Sequence, residues 1–338
     1  SGPIGSADER YNGNLYIENS LTCHPSRISL MSLLVVGSLA YDGIETPFGV
    51  RDRILGGSAT YITLTSSYFV NDVHLVGVVG RDFAQEDLDL LGGRGVNLEG
   101  LQIDTTGDTF FYRGRYSYDL NNRESLETSL NVFAEFNPVI PDAGRASRYI
   151  ALGNIDPSLQ GRVLDQAASP DFVAMDTMNF WIEGTPDALR ETIARVDMLV
   201  LNDSEARELT GEPNLFKAAA LIRGMGPDHL IIKKGEHGAL LFTGSEVFSA
   251  PAYPVVDIFD PTGAGDSFMG GFLGWLAYTR DHDSRNMRRA VILGSVMASF
   301  CVEEFGPDRL RTLRTDEIFE RYREFRDLSL IPEVELPE

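Results

Sequence analysis

The chain has 338 residues, of which 43% are hydrophobic and 10% aromatic, enough for one large α/β domain with at most a small appendage. Its formal net charge is −21, and only three of its basic residues are lysines: Lys217, Lys233 and Lys234. This balance argues against nucleic-acid binding, because a polyanion needs a cationic surface. No run of about 18 apolar residues is present, so no membrane span is expected.

The acidic, lysine-poor composition has two interpretations. It fits adaptation to high salt, where screening tolerates self-repulsion, or an ordinary acidic surface in an organism that prefers arginine codons. The two cysteines, Cys23 and Cys301, do not suggest a disulfide framework, and a reducing cytoplasm fits. A strand pattern starts at Met31, so we interpret residues 1–30 as a disordered or vector-derived extension and residues 31–338 as the folded domain.

Six short apolar segments alternate with helical or loop segments. Their apolar character is continuous, which is typical of strands buried on both faces of a parallel sheet. Amphipathic stretches between them, such as 189–196 and 215–225, predict crossover helices. Because such crossovers are right-handed, we expect an α/β fold with a doubly wound, mostly parallel sheet in a three-layer sandwich. The predicted strands are Leu33–Gly37, His74–Gly80, Tyr149–Gly153, Phe172–Asp176, Met198–Asn202 and Leu230–Lys234.

The segment Thr109–Tyr118 breaks this pattern, because it alternates strictly with period two. Such alternation predicts an antiparallel, half-exposed strand. The strand would belong either to a small lid sheet beside the main domain or to an edge hairpin without a function. One face would carry Phe110, Tyr112, Tyr116 and Tyr118, and the other Phe111, Arg113, Arg115 and Ser117.

The glycine-rich run from Asp260 to Asp266, D-P-T-G-A-G-D, precedes an apolar helix predicted from Ser267 to about Thr279. Consecutive backbone N–H groups at a helix N-terminus form an anion-binding concavity, and small side chains let the anion approach. Asp266 would lie beside the bound anion. A base next to a phosphate site is what the phosphorylation of an alcohol requires.

The helix after this turn carries small residues along one face. Glycine in a helix costs about 1 kcal/mol relative to alanine, so another element or a ligand is expected to pack closely there. For Gly274 we expect packing alone. Other phosphate motifs are absent: no G-x-x-x-x-G-K-[ST] occurs, and Phe268 stands where an intact G-x-G-x-x-G needs its third glycine. The face consists of Ser267, Gly270, Gly271 and Gly274.

The run Asp260–Asp266 resembles the second signature of the ribokinase/PfkB carbohydrate kinases, D-T-x-G-A-G-D, and departs from it at Pro261. Segment 202–205 (N-D-S-E) is similar to the family's N-x-x-E motif, and segment 233–238 (K-K-G-E-H-G) to its ATP-site turn. Segment 56–60 (G-G-S-A-T) resembles the glycine pair of the first signature, where the family has asparagine in place of Thr60. These motifs follow the family order.

The resemblance implies a role for each matching residue. It implies ATP and Mg²⁺ as cofactors, with Glu205 holding Mg²⁺ through water, and a further option of K⁺ at Asp260. The catalytic base would be Asp266, with the anion hole at Gly263, Ala264 and Gly265. Substrate would contact Asp42, Gly56, Gly57, Thr60 and Asp266, and the nucleotide would contact Asn202, Glu205, Lys233, Gly235, Gly238, Gly263, Gly265 and Ser295.

The resemblance also implies a lid, from about residues 44–54 and 107–136, through which family members often form homodimers. The expected function is transfer of the ATP γ-phosphate to a hydroxyl of a small sugar-like substrate, a sugar or a nucleoside. Two alternatives stay open: a sugar-phosphate or inositol kinase, or a non-catalytic sugar or nucleotide sensor. Arginines of the lid segment would serve a substrate phosphate or simply form a polar face: Arg113, Arg115 and Arg123.

Overall fold

The computed structural model describes residues 31–330, so the extension predicted for residues 1–30 lies outside the described residues. Within this range no helix is long and apolar enough to cross a membrane. The strands are β1 (Leu33–Val36), β2 (Ala40–Thr46), β3 (Gly49–Gly56), β4 (Val73–Gly80), β5 (Val96–Asp104), β6 (Phe110–Tyr116), β7 (Arg123–Ser129), β8 (Tyr149–Leu152), β9 (Phe172–Asp176), β10 (Met198–Asn202), β11 (His229–Lys233), β12 (Ala239–Thr243) and β13 (Glu246–Ala250). The α-helices are α1 (Ser58–Ser66), α2 (Gln85–Gly93), α3 (Asp142–Arg145), α4 (Pro157–Gln166), α5 (Asn179–Gly184), α6 (Pro186–Ile193), α7 (Asp203–Thr210), α8 (Leu215–Arg223), α9 (Ala264–Thr279), α10 (Ser284–Cys301), α11 (Asp308–Thr312) and α12 (Thr315–Leu328).

The large sheet has the strand order β13-β12-β11-β10-β9-β8-β1-β4-β5. Its strands pair in parallel from β11 to β5, and β12 and β13 add an antiparallel edge. All six strands predicted from continuous apolar segments are present, within one residue of their predicted bounds. The order reverses around β1, which has β8 on one side and β4 on the other. In open α/β sheets a ligand binds outside the carboxyl ends of the strands at this point.

Strand β1 shows why the sheet is buried on both faces. Its four residues are fully buried, and alternate side chains enter two different cores. Leu33 and Val35 pack toward α1, α2, α9 and α10, whereas Leu34 and Val36 pack toward helices α4 to α8 on the other face. Burying each such side chain stabilises the fold by about 1.5–3 kcal/mol. The predicted three-layer α/β sandwich is confirmed.

A second, small sheet has the order β3-β2-β6-β7, and we call it the lid sheet. The alternating segment lies in it as β6, which pairs antiparallel with β7 but parallel with β2. The expected antiparallel pairing therefore holds on one side only. The ladder of β2 and β3 is also longer than the predicted 44–54, because it continues to Ala40 and Gly56 at the main sheet.

The small-residue face of α9 packs directly against two neighbouring helices. A Cβ added at Gly270 would lie 1.9 Å from Thr65 Oγ1 of α1, and one added at Gly271 would lie 2.7 Å from Met297 Cγ of α10. At Gly274 the nearest atoms, from Phe69 and Ser66, would be 3.0 Å away. Close helix packing therefore explains these glycines, as expected for Gly274.

Candidate active site

The glycine turn begins helix α9 at the carboxyl edge of the large sheet. Gly263 has a φ of 76°, a left-handed conformation that residues with a Cβ adopt at a cost. An added Cβ would also lie 2.4 Å from the ring of Tyr61. The amide of Ser267 donates to Gly263 O at 2.8 Å, so the amides of Gly265 and Asp266 precede this first i→i−4 bond of the helix. Such amides are free to bind an anion. The amide of Ala264, predicted as part of the anion hole, instead donates to Pro261 O at 3.2 Å.

This turn separates two cavities. The first, of about 760 Å³, is lined by Gly263 and Asp266, and we call it the acceptor cavity. The second, of about 530 Å³, is lined by Ala264 and Gly265, and we call it the donor cavity. A phosphoryl group bound at the turn would therefore be accessible from both the acceptor cavity and the donor cavity.

Two carboxyl groups line the acceptor cavity, those of Asp42 and Asp266. Burial raises the pKa of Asp266 to about 7, with a further contribution from the nearby Asp176 carboxylate. Burial likewise raises the pKa of Asp42 to about 7, helped by the negative charge of Asp260. Among the described residues, no group forms a hydrogen bond with Asp266 Oδ1, although this atom is buried. Gly56 makes room for Asp42, because an added Cβ would lie 2.0 Å from its Oδ2.

The lid sheet supplies a cation to the same cavity. Arg123 lines the acceptor cavity with its guanidinium 5.1 Å from the ring centroid of Tyr112. Its positive charge lowers the pKa of both Asp42 and Asp266 against the effect of burial. The other two arginines considered for a substrate phosphate form ion pairs instead: Arg113 with Asp52 and Glu45, and Arg115 with Glu45 and Glu124.

A polar cluster lies where β9, β10 and β11 end. Lys233 Nζ donates to Asp176 Oδ2 at 3.2 Å, and an added Cβ at Gly265 would lie 2.8 Å from the same nitrogen. Asn202 and Glu205 form a reciprocal cap at the start of α7: each side chain accepts the other residue's amide, at 2.8 and 2.7 Å. Burial raises the pKa of Glu205 to about 7, and the negative charge of Asp176 adds to this.

Asp260 connects the glycine turn to the loop after α10. Its side chain is fully buried, and its two oxygens accept the amides of Thr262, at 2.8 Å, and Gly306, at 3.0 Å. Phe259 N also donates to Val302 O in this loop, at 2.9 Å. The Asp260 carboxylate therefore holds the shape of the turn.

Most of the remaining predicted site residues line the expected cavity. Gly57 lines the acceptor cavity, and the donor cavity has Lys233, Gly235, Gly238 and Ser295 on its walls. Four predicted contacts line neither cavity: Gly56, Thr60, Asn202 and Glu205. Thr60 is fully buried, and its hydroxyl donates to Gly56 O at 2.7 Å. A threonine in a helix commonly bonds the carbonyl four residues earlier in this way. The structure therefore does not bring Thr60 to the cavity as a substrate contact.

Sequence reasoning did not include several residues that the structure places at the site. Asp176 ends a predicted strand and contacts Lys233, but it belongs to none of the motifs used; its position at the carboxyl end of a buried strand was the available signal. Trp181 of α5 lines the acceptor cavity, and its Nε1 donates to Asn154 Oδ1 at 2.9 Å. Trp181 lies far along the chain from every motif, so no sequence signal identified it.

Known proteins match this chain along most of its length. The model of the pfkB family carbohydrate kinases matches residues 51–312, and the chain belongs to this family. A cytidine kinase of Thermococcus kodakarensis is 29% identical over 283 residues, which cover 82% of this chain and 98% of the relative. The chain is therefore a phosphotransferase that uses ATP and acts on a hydroxyl group of a sugar or nucleoside; a non-catalytic sensor is not favoured.

Solved structures support the fold. The nucleoside kinase of Methanocaldococcus jannaschii superposes with a TM-score of 0.68 at 23% identity, covering 87% of this chain and 98% of that one. The ribokinase of Arabidopsis thaliana, solved with ribose and ATP, gives a TM-score of 0.69 at 21% identity and covers 86% of this chain and 98% of its own. The ribokinase-like fold expected from the motifs is thus confirmed.

Proposed function

We propose that this kinase phosphorylates a nucleoside, with Asp266 as the base that accepts the proton of the attacking hydroxyl. The observation that carries the proposal is the buried Asp266 Oδ1, which has no partner among the described residues and lies on the acceptor side of the glycine turn. A pKa near 7 suits a base that must hold the proton briefly and release it again. The amides of Gly265 and Asp266 would stabilise the charge on the phosphoryl group in flight.

The size and lining of the acceptor cavity support a nucleoside over a free sugar. Its volume of about 760 Å³ exceeds what one pentose fills. Phe133 stacks on both Phe110 and Phe136, with ring centroids 5.5 Å apart, and all three rings line the cavity together with Trp181. Flat aromatic surfaces bind a nucleobase by stacking, worth about 1–3 kcal/mol per base. The relative named a cytidine kinase agrees with this choice.

The ribose of such a substrate would lie between Asp42 and the glycine pair. Asp42 is 5% exposed and lines the cavity, so its carboxylate would accept hydrogen bonds from ribose hydroxyls. Gly57 lines the same wall, and a Cβ there would lie 2.4 Å from Ser38 O. The reacting hydroxyl would then face Asp266.

The donor cavity would hold ATP, with Lys233 near its phosphates and its base beside Ser295. Within residues 31–330 no cluster of three or more His, Cys, Asp or Glu side chains is arranged to hold a metal ion. That fits Mg²⁺ bound mainly by phosphate oxygens and water, with Glu205 reaching it through water, because Mg²⁺ favours few protein ligands. When bound, Mg²⁺ would neutralise charge on the phosphates.

Three further assignments belong to the proposal. Asp260 would contribute to a K⁺ site beside the turn, which faster turnover in KCl than in NaCl at equal ionic strength would support. Strand β7 is an edge of the lid sheet, and its free backbone edge supports a homodimer formed through the lid.

The use of ATP supports a cytoplasmic location.

A substrate panel tests the proposed acceptor. We expect phosphorylation of at least one nucleoside among cytidine, inosine and adenosine with a kcat/KM about a hundredfold above that for ribose. Trp181→Ala should lower kcat/KM for that nucleoside by about five- to a hundredfold, the range of a lost stacking interaction, and leave ribose turnover nearly unchanged. Ribose is thus the internal control. A ribose preference in the unaltered enzyme would contradict the proposal.

A further inference from the structure

Helix α12 packs beside the donor cavity and follows residues 51–312, the part of the chain that matches the family model. Its buried residues Ile318 and Phe325 share one apolar cluster with Phe300 of α10. Tyr253, which packs against the same cluster, lines the donor cavity. The C-terminal helix therefore supports part of the wall of this cavity.

The wall residues in this region are those near the proposed position of the base of ATP. Ser299 lines the cavity four residues after Ser295, so the two side chains lie one turn apart on the same face of α10. Tyr253 contacts α12 directly: its Oη donates to Glu324 Oε2 at 2.6 Å, and its ring centroid lies 5.4 Å from that of Phe325. The base would therefore meet a wall that α12 helps to build.

Arg321 of α12 contacts both Tyr253 and Ser299. Its guanidinium carbon lies 4.5 Å from the ring centroid of Tyr253 and 3.5 Å from that of Phe300. Its Nη1 donates to Ser299 Oγ at 3.1 Å, and its Nη2 lies 2.7 Å from Glu303 Oε1. A planar guanidinium can stack on aromatic rings while its edge donates several hydrogen bonds, which an ammonium group does with less geometric control.

These contacts restrict the geometry of the wall. The Arg321 side chain is only 14% exposed. Ser299 Oγ accepts from it and also donates to Val296 O at 2.7 Å, so the hydroxyl group has a fixed orientation. Glu303 binds a second arginine, Arg309, at 3.3 Å. Because hydrogen bonds to ionised groups are stronger than those between neutral groups, displacing Arg321 or its partners is costly.

We propose that Arg321 is a positioning residue of the donor site: through Tyr253 and Ser299 it holds the wall against which the base of ATP binds. The inference rests on the proposed assignment of ATP to the donor cavity, with its base beside Ser295. Arg321 itself lines neither cavity, so it acts through these two neighbours. Affinity for the nucleotide therefore depends on Arg321, whereas the chemical step does not.

Calorimetry with the non-hydrolysable analogue AMP-PNP and Mg²⁺, combined with steady-state kinetics, tests this role. Arg321→Ala should weaken AMP-PNP binding about tenfold and raise KM for ATP by a similar factor, because the wall loses its fixed geometry. KM for the acceptor, and kcat at saturating ATP, should change by less than about twofold. The acceptor is whichever of cytidine, inosine, adenosine and ribose has the highest kcat/KM. Unaltered AMP-PNP affinity would overturn the proposal.

Arg326→Ala is the matched control, because Arg326 lies on the same helix and pairs with its neighbour Asp327, with both side chains 69% exposed. It removes the same charge and should keep the AMP-PNP affinity. Arg321→Lys keeps the positive charge but cannot bond Ser299 and Glu303 with one rigid fork, so its loss should be intermediate, about threefold. A loss in Arg326→Ala as large as in Arg321→Ala would overturn the specific role of Arg321.

Further outcomes separate positioning from general damage. Loss of folded protein lowers the apparent kcat and leaves both KM values unchanged, so that result in Arg321→Ala would overturn the proposal, as would equal rises in both KM values. Gly265→Ala reports on the cavity assignment. If ATP binds elsewhere, neither Gly265→Ala nor Arg321→Ala weakens AMP-PNP binding; if only the role of Arg321 is wrong, Gly265→Ala still does. Calorimetry needs no turnover, so failure of Asp266 as the base would leave these results unchanged.

Discussion

The two cavities that meet at the glycine turn are lined by residues of different chemical character. Ionisable groups dominate the functional wall of the acceptor cavity: Asp42 and Asp266, both with a raised pKa, and Arg123. The donor cavity is lined mainly by glycines and apolar side chains such as Val255 and Val302, together with Lys233, Asp119 and Glu236. From this difference we expect charge on the acceptor side to control the chemical step and shape on the donor side to control the affinity for ATP.

The largest expected effect is loss of the base. Asp266→Asn should lower kcat by at least about a thousandfold while ATP and acceptor affinities are kept, because the hydroxyl loses its proton acceptor but not its binding site. Steady-state kinetics and calorimetry together measure this. Asp257→Asn, the same change at an exposed carboxylate on the loop before the turn, should have no effect. Turnover near the normal rate in Asp266→Asn would show that another group takes the proton.

A smaller effect is expected at Glu205, which is buried at the start of α7 and is proposed to reach Mg²⁺ through water. Glu205→Gln should weaken the dependence of activity on Mg²⁺ by about ten- to a hundredfold, since an indirect contact to the metal is lost. The fold should be kept, because glutamine can still accept the Asn202 amide. A Mg²⁺ titration at fixed ATP, with the melting temperature as control, measures both. An identical titration curve would contradict the metal assignment.

Gly265→Ala tests the donor side by shape alone. The new methyl group would lie 2.8 Å from Lys233 Nζ, which must move. We expect KM for ATP to rise about tenfold with KM for the acceptor nearly unchanged, because the anion loses close access to the backbone. Gly93→Ala, where nothing lies within 4 Å of the added atom, is the control. Equal rises in both KM values would contradict the assignment of ATP and the acceptor to separate cavities.

The smallest expected effect is the pH dependence of the free energy of unfolding of the ligand-free protein. The folded-state pKa values of Asp42, Glu205 and Asp266 are raised to about 7, so the folded chain binds more protons than the unfolded chain between about pH 4 and pH 7. Their contribution to stability is therefore complete below about pH 4 and is lost as the pH rises through 7. Each group changes the free energy of unfolding by up to about 1.4 kcal/mol per pH unit.

We therefore expect a melting temperature that falls from about pH 5 to about pH 8. High salt in every sample screens the surface charge but leaves the buried groups little affected. Asp42→Asn should make the melting temperature less dependent on pH. An unchanged slope in this variant would show that Asp42 does not contribute to the pH dependence.

The buried part of the fold was predictable because its sequence signal is strong. Strands such as β8 and β10 lie between two helical layers and consist almost entirely of apolar residues. The lid sheet was harder, since alternation in β6 identifies its two faces but not its partners. Its parallel pairing with β2 depends on how the chain returns to the main sheet.

The residues of the candidate site fall into the same two groups: those that a local sequence pattern marks and those that only the fold brings together. Asp260 to Asp266 form one contiguous run, so their spacing alone indicated a turn with a base beside it. Asp176 and Trp181 reach the site only through the fold. The end of a buried strand was the one signal for Asp176, and no local pattern marks Trp181. Thr60 follows a glycine pair by three residues in the sequence, yet the helical geometry of α1 directs its hydroxyl to the backbone.

The glycine face of α9 has a consequence for engineering this enzyme. Helix α1, which begins beside Gly57, and α10, which carries Ser295, both pack directly against the glycine face of α9. The acceptor wall, the turn and the donor wall are thus attached to one tightly packed three-helix unit that has no spare volume. Side chains introduced at the α9 glycines are therefore expected to destabilise the fold. A change of substrate preference is better sought in Tyr112, Phe133 and Trp181, whose replacement leaves that unit intact.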